Sequence, residues 1–416
     1  MADNPVAAAI PSQRLLQRPL QRSGVPASLF AVCFALACIN AAFFPAGLSS
    51  GIWIWGADGL GIPTDFVNVW AAGKLALQGH PALAWDWDVQ RQVELDLLRQ
   101  DFPGYFAWHY PPPFLFVAAF LAQFPYTIAF AGWASASFVP FALAMRAIVG
   151  RGFGLVLAAG FPALFSNTLV GQNGCLTAAL VGGTLYWLPV RPVLAGICLG
   201  LLTYKPQYGL LFPILLIATQ RWTAFAAASV TAIVLALGSW MAFGLESWQA
   251  FLHWLPMFSQ AFLTEGKATW WKLQSLFSLV RYFGGSEALG WTFQWVLTAA
   301  VAVVLVTLWR SPVRYSLKAA ALAVGLLLTT PYLFMYDMMV QAIAVAWLVR
   351  IGLHDGFRRY ELPAFGCVAA LQISFMLTGI PLGLAANLVV GGLVLARAGS
   401  WWRRQPVRTA AALATA

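Results

Sequence analysis

Charge is the scarcest commodity in this chain. Only 9% of its 416 residues are Asp, Glu, Lys or Arg, while 61% are hydrophobic. A soluble domain carries about 25% charged and about 45–50% apolar residues. A water-facing surface cannot be built from so few charges, so the surrounding solvent must be lipid. Cysteine is sparse too. All five (Cys33, Cys38, Cys175, Cys198 and Cys367) fall in apolar stretches with no CxxC pair, which indicates buried small hydrophobes and neither a disulfide framework nor a metal set. Clear acidic pairs are missing outside the stretch 50–110. Asp86-Trp87-Asp88 has the DxD spacing, but it reads as the start of a helix. The net charge of +10 is scattered through short gaps between apolar runs, a distribution unlike a nucleic-acid-binding face.

What is abundant is apolar sequence in blocks. Candidate segments cover roughly 28–47, 112–124, 126–146, 153–169, 172–188, 193–204, 206–219, 222–243, 289–309, 316–330, 338–350, 362–379 and 381–397. The expected fold is all-α, a polytopic transmembrane bundle of about 10–13 helical segments over 26–400. A disordered cytoplasmic tail (1–25) precedes it and a basic cytoplasmic tail (401–416) follows. Several segments are short and bounded by Pro125, Pro189, Pro192, Pro206 or Pro331. Broken backbone at membrane depth survives only where protein or a wet cavity satisfies it, so these breaks point to a polar cavity.

Basic residues set the orientation. Arg14/Arg18/Arg22, Arg146/Arg151, Arg191, Arg221, Arg310/Arg314/Lys318, Arg350/Arg358/Arg359 and Arg397/Arg403/Arg404/Arg408 read as cytoplasmic. Both termini then face the same side, which requires an even number of crossings. One of 112–124 and 153–169 is therefore expected to be re-entrant or half-spanning. Two long stretches, about 50–110 and 244–288, face the other side. They contain amphipathic patterns at Trp85–Arg99 and Glu246–Phe262, expected to lie flat at the membrane surface. The acids Asp86, Asp88, Glu94, Asp96 and Asp101 read as a solvated helix face.

Six polar motifs fall on that non-cytoplasmic side: Thr64-Asp65-Phe66-Val67-Asn68-Val69-Trp70, His109-Tyr110-Pro111-Pro112-Pro113, Gly171-Gln172-Asn173-Gly174, Tyr204-Lys205-Pro206-Gln207, Trp270-Trp271-Lys272-Leu273-Gln274-Ser275 and Pro331 through Tyr336-Asp337. Ionisable groups against a membrane are costly and are functional candidates by default. Each also has a bland reading. Asp65 can be a helix N-cap, and Lys205 can snorkel from a helix end. His109 can be an interfacial histidine, Asp337 can pair with a base or cap its helix, and Gln172 and Asn173 can be interhelical glue. Their convergence on one face makes the functional reading stronger than any single motif does.

In this order the motifs resemble glycosyltransferase family 87, whose best-known members are polyprenyl-phosphate-mannose-dependent mannosyltransferases of the GT-C superfamily. The matching residues are Asp65-Phe66-Val67 with Gly79, Tyr110-Pro111-Pro112, Gly171-Gln172-Asn173, Lys205-Pro206-Gln207, Gln274-Ser275, and Pro331-Tyr332 with Tyr336-Asp337. They spread over roughly 60–350. The resemblance implies a GT-C fold, a polyprenyl-phosphate hexose (mannose in the best-known members) as donor, a lipid or glycan acceptor, and Asp65 as general base. It also implies a multi-pass protein of the plasma membrane with its site on the external or periplasmic face.

The chemistry is consistent with that inventory. A carboxylate within hydrogen-bond reach can take the acceptor's proton. Cations can stabilise the departing phosphate. Lys205 is the first candidate for that role, with His109 and Lys272 behind it. Gln172, Asn173 and Gln207 are candidate partners for sugar hydroxyls, and Tyr110, Gln274, Tyr336 and Asp337 complete the candidate substrate site. One base and in-line displacement would invert the anomeric centre. Neither a metal nor any other cofactor is required. The principal alternative is a lipid-linked sugar flippase or transporter, which also needs broken helices and buried polar groups.

Overall fold

A computed structural model describes residues 24–267 and 270–413, with side chains through 399. The leader carrying Arg14, Arg18 and Arg22, and the side chains of Arg403, Arg404 and Arg408, lie outside the described residues. The chain is helical almost throughout. An unpaired backbone group in lipid costs several kcal/mol, and a helix closes its hydrogen bonds internally. In chain order the helices are α1 Ala27–Ser49, α2 Phe66–Leu77, α3 Trp87–Leu98, α4 Leu115–Leu121, α5 Tyr126–Val149, α6 Phe153–Ala159, α7 Pro162–Val170, α8 Gly174–Trp187 and α9 Pro192–Leu201. There follow α10 Pro206–Gly209, α11 Leu211–Ala218, α12 Trp222–Ser259, α13 Leu276–Tyr282, α14 Glu287–Arg310, α15 Tyr315–Thr329, α16 Met339–Asp355, α17 Glu361–Thr378 and α18 Gly383–Leu413. Extended pairing among the described residues is confined to a small hairpin after α1, in which β1 Ile52–Trp53 runs antiparallel to β2 Trp55–Gly56, plus two isolated bridges.

Among the described residues, six helices are long and apolar enough to cross a bilayer. The segment 153–169 is a bent pair, α6 and α7, which turn by 53° at a short break and would add a seventh span. Pro162 opens α7; lacking an N–H and forcing the preceding residue out of the helical region, it ends α6. The same device divides 192–218, where Pro206 starts a new helix immediately after Lys205. The all-α expectation holds. α18 carries the helical backbone on to Leu413, into the stretch expected as a basic tail.

Burial separates the helices into an inner and an outer set. The most apolar stretch of Met335–Asp355 is wholly buried, whereas those of α1, α12 and α14 are only 11–17% buried. The inner helix α16 packs on α15, α8 and α5. Buried amides tie it to its neighbours: Gln341 Nε2 donates to Asn387 Oδ1 at 2.7 Å, and Gln372 Nε2 donates to Gln341 Oε1 at 2.6 Å. These amides act as interhelical glue where lipid provides no hydrophobic drive for association.

The two long loops meet rather than standing apart. α12 kinks at Gly244 (φ 76°, ψ 167°) and runs on to Ser259, where a π-turn over Gln260–Thr264 ends the stretch expected to be amphipathic. Trp87 then packs on Trp254 and Phe258, with ring centroids 5.5 and 5.6 Å apart, and Trp85 packs on Phe251 at 6.3 Å. The amphipathic stretches bury their aromatic faces against each other.

Candidate active site

Asp65 occupies the N-cap position of α2, but its side chain makes no capping hydrogen bond. The bland explanation for this residue therefore fails. Its carboxylate turns the other way and accepts a hydrogen bond from Gln172 Nε2 at 3.0 Å. Gln172 is held from behind, since its Oε1 accepts from Tyr110 Oη at 3.1 Å and from the Asn173 backbone N–H at 3.2 Å. Asn173 Nδ2 in turn donates to Tyr110 Oη at 2.7 Å. Four residues from three sequence motifs thus form one chain of hydrogen bonds that fixes the orientation of a single carboxylate.

The Gly171-Gln172-Asn173-Gly174 turn makes this possible. Gly171 adopts φ +68°, a left-handed conformation that glycine enters without strain, and a Cβ there would lie 2.6 Å from Cβ of Phe66. At Gly174 a Cβ would come within 2.1 Å of the Tyr336 carbonyl oxygen. The turn can press against both α2 and the 331–338 segment only because these positions carry no side chain.

Asp65, His109, Gln172, Lys272 and Tyr336 share the wall of one cavity of about 590 Å³. Asn68, Trp87, Tyr105, Lys267, Trp271 and Tyr332 also line it. This volume falls within the roughly 300–1,000 Å³ typical of small-molecule sites. Burial raises the pKa of Asp65 above its usual range, partly opposed by the Gln172 hydrogen bond and the fields of Lys272 and Lys205. A base is improved by such a shift.

His109 has a different character from the one expected. Its Nδ1 lies 3.1 Å from the Ala107 carbonyl oxygen, and burial lowers its pKa to about 4. The ring is neutral at neutral pH, with Nδ1–H donating to Ala107 and Nε2 left as an acceptor. A neutral acceptor cannot serve as a cation for a phosphate.

Lys205 is also placed differently. Pro206 forces Lys205 out of the helical region (φ −127°, ψ 75°) at the break after α9. Its side chain turns inward and its ammonium meets Asp337 Oδ1 at 2.5 Å, with both side chains almost fully buried. Asp337 Oδ2 accepts the Phe334 backbone N–H at 3.1 Å. Both carboxylate oxygens of Asp337 are therefore engaged, and neither Lys205 nor Asp337 reaches the cavity wall. The bland reading of Asp337, pairing and capping together, describes it better than substrate binding.

Gln274 is a clasp. Its backbone N–H donates to the Leu333 carbonyl at 2.6 Å, and its Oε1 accepts from the Gly383 N–H at 2.8 Å. With the Leu273–Phe334 bridge, this pins the second long loop to the late helices and stations Lys272 at the cavity. Gln207 is half-buried beside the Lys205 break and does not line the cavity.

Glu94 corrects the reading of α3 as a solvated acidic face. Asp86 does cap that helix, accepting from the N–H groups of Asp88 and Val89 at 3.1 and 3.2 Å, so the DxD triplet is a helix start. Glu94, however, is fully buried. It faces the Phe106 N–H and the Gln90 amide without a well-formed hydrogen bond, and burial raises its pKa to about 9. It is a neutral acid packed between α3 and α2, where Gln90 Nε2 also donates to the Asn68 carbonyl at 2.9 Å.

Sequence reasoning missed Asn68, Trp87, Tyr105 and Lys267. Asn68 was within reach, because it stands three residues after Asp65 on one helix face. Tyr105 lies in an irregular loop, where no periodicity marks the inward side.

No curated protein and no solved structure matches the chain. A model of glycosyltransferase family 87 matches residues 108–331, a span that holds His109, Tyr110, Gln172, Asn173, Lys205, Lys272 and Gln274 and stops short of Asp65 and Asp337. With more than half of its length matched and a bundle of apolar helices around the cavity, the chain is a multi-pass membrane protein that belongs to glycosyltransferase family 87.

Proposed function

We propose that the protein transfers a hexose, mannose being the first candidate, from a polyprenyl-phosphate sugar to a hydroxyl of a lipid or glycan acceptor on the external face of the plasma membrane. The observation that carries this reading is that Asp65 and Lys272 share one cavity. The oriented carboxylate accepts the acceptor's proton as its oxygen attacks the anomeric carbon. The anomeric C–O bond to phosphate breaks on the opposite face, and the phosphate leaves toward Lys272. An ammonium at the cavity wall stabilises the charge that develops on the leaving group. Gln172 orients the base, and His109 Nε2 and Asn68 are partners for sugar hydroxyls. A single carboxylate acting with in-line displacement gives inversion.

This assignment moves the phosphate-facing role from Lys205 to Lys272, because Lys205 is neutralised by Asp337. The test is direct. Purified protein supplied with a polyprenyl-phosphate mannose and an acceptor extract should release polyprenyl phosphate, and Asp65→Asn should reduce the rate by at least about 10²-fold with an unchanged melting temperature. Full activity in that variant would remove Asp65 from the mechanism. Lipid scrambling in liposomes that persists in Asp65→Asn, with no sugar transfer by the wild type, would favour the flippase instead.

A further inference from the structure

Tyr105 poses a physical question that the transfer chemistry leaves unanswered. It is a large aromatic, 47% exposed, in the wall of the catalytic cavity, yet it is held rigidly. Its hydroxyl donates to Asp88 Oδ1 at 3.2 Å. The Arg91 guanidinium lies 5.6 Å from its ring centre, and the Trp87 ring is 5.6 Å away at a 42° tilt. Arg91 is itself fixed, donating to the carbonyls of Gly104 and Phe102 at 3.2 and 2.9 Å and pairing with Asp101 at 2.6 Å. An exposed aromatic normally keeps its rotameric freedom; one pinned in advance loses little entropy when something stacks on it.

We propose that Tyr105, with Trp87 beside it, forms a stacking subsite at the mouth of the cavity for a sugar ring of the acceptor. The apolar C–H face of a pyranose matches an aromatic face in size and polarity, while its hydroxyls point outward to polar neighbours. The charges around the shelf favour a neutral polyol over an anion. Arg91 pairs with Asp101 and Lys267 with Glu265, which leaves Asp88 as a hydrogen-bond acceptor beside the ring. The proposal rests on the reading of this cavity as the transferase site, and it narrows the acceptor to one that carries a sugar.

The experiment uses the full chain in lipid nanodiscs, with methyl α-D-hexopyranosides as probes and saturation-transfer difference NMR as the readout. Wild type should transfer saturation to the ring C–H protons. In Tyr105→Ala the signal should fall about fivefold, the order expected for losing one aromatic contact, and Tyr105→Phe, which keeps the ring against Trp87 and Arg91 but loses the bond to Asp88, should lose clearly less. Asp65→Asn should keep the full signal, even if turnover is lost, which separates failure of the subsite from failure of the base assignment. Four results would each overturn the subsite: no saturation transfer in wild type, an undiminished signal in Tyr105→Ala, an equal loss in Tyr105→Phe, or an equally Tyr105-dependent signal from glycerol.

Discussion

Asp65 and Asp337 are two aspartates at one rim of the bundle, and their surroundings differ in a single decisive respect. Asp337 has a buried ammonium at 2.5 Å and a backbone N–H on its other oxygen. Asp65 has a neutral amide for a partner and a cavity in front of it. The first arrangement holds its charge in place and is structural. The second leaves a carboxylate with raised proton affinity and room for a reactant. In a membrane protein the presence of an acid near the interface therefore says less than the charge of whatever faces it.

Substitutions can break this contrast, and the largest effect is expected at the closed pair. Lys205→Met or Asp337→Leu alone leaves an uncompensated buried charge and should cost about 3–5 kcal/mol. The double variant Lys205→Met/Asp337→Leu should recover most of the melting temperature, because a packed apolar pair replaces a buried ionic one. Equal destabilisation in single and double variants would show that the pair has a role beyond its own neutrality.

Next in size is the open side. Lys272→Met should lower kcat by about 10²-fold while thermal unfolding stays at the wild-type temperature. An unaffected kcat would return the leaving group to Lys205.

A smaller effect is expected behind the cavity. The folded-state pKa of Glu94 is raised from 4.5 to about 9, so the folded protein holds a proton that the unfolded chain releases. Stability from this group is fully present below about 4.5 and declines as pH rises toward about 9, with a slope of at most about 1.4 kcal/mol per pH unit. Glu94→Gln, which keeps the shape and stays neutral, should flatten that part of the melting-temperature profile.

The finest adjustment is at Gln172. Its hydrogen bond lowers the pKa of Asp65 against the effect of burial. Gln172→Ala should therefore shift the acidic limb of the pH–activity profile to higher pH. A shift to lower pH would mean that Gln172 binds the neutral acid instead.

Much of this site could be read in the sequence, because polar residues stand out in a chain that is 61% hydrophobic. Asp65, Tyr110, Gln172 and Asn173 came from three separate motifs, and the structure joins them by hydrogen bonds. Partnership across the chain was not legible. Lys205 and Asp337 lie 132 residues apart, and nothing in either motif reveals that each neutralises the other. Glu94 was misread for a related reason. An amphipathic pattern shows that one face of α3 is polar but not what that face meets, and here part of it packs on α2 with Gln90 and Glu94 inside. Likewise, the amphipathic pattern of Glu246–Phe262 does not show that Trp254 and Phe258 pack against Trp87.

The Gln274 clasp ties the cavity's cation to the most distant part of the polypeptide. Lys272 belongs to the second loop, but its station depends on an amide fastened to the first residue of α18, more than a hundred residues later. During synthesis, the carboxylate side of the pocket can assemble as soon as the Gly171 turn has emerged and folded. The Lys272 side has to wait for α18, so a chain interrupted before Gly383 would lack the bond that holds the Gln274 side chain and the loop carrying Lys272 in place.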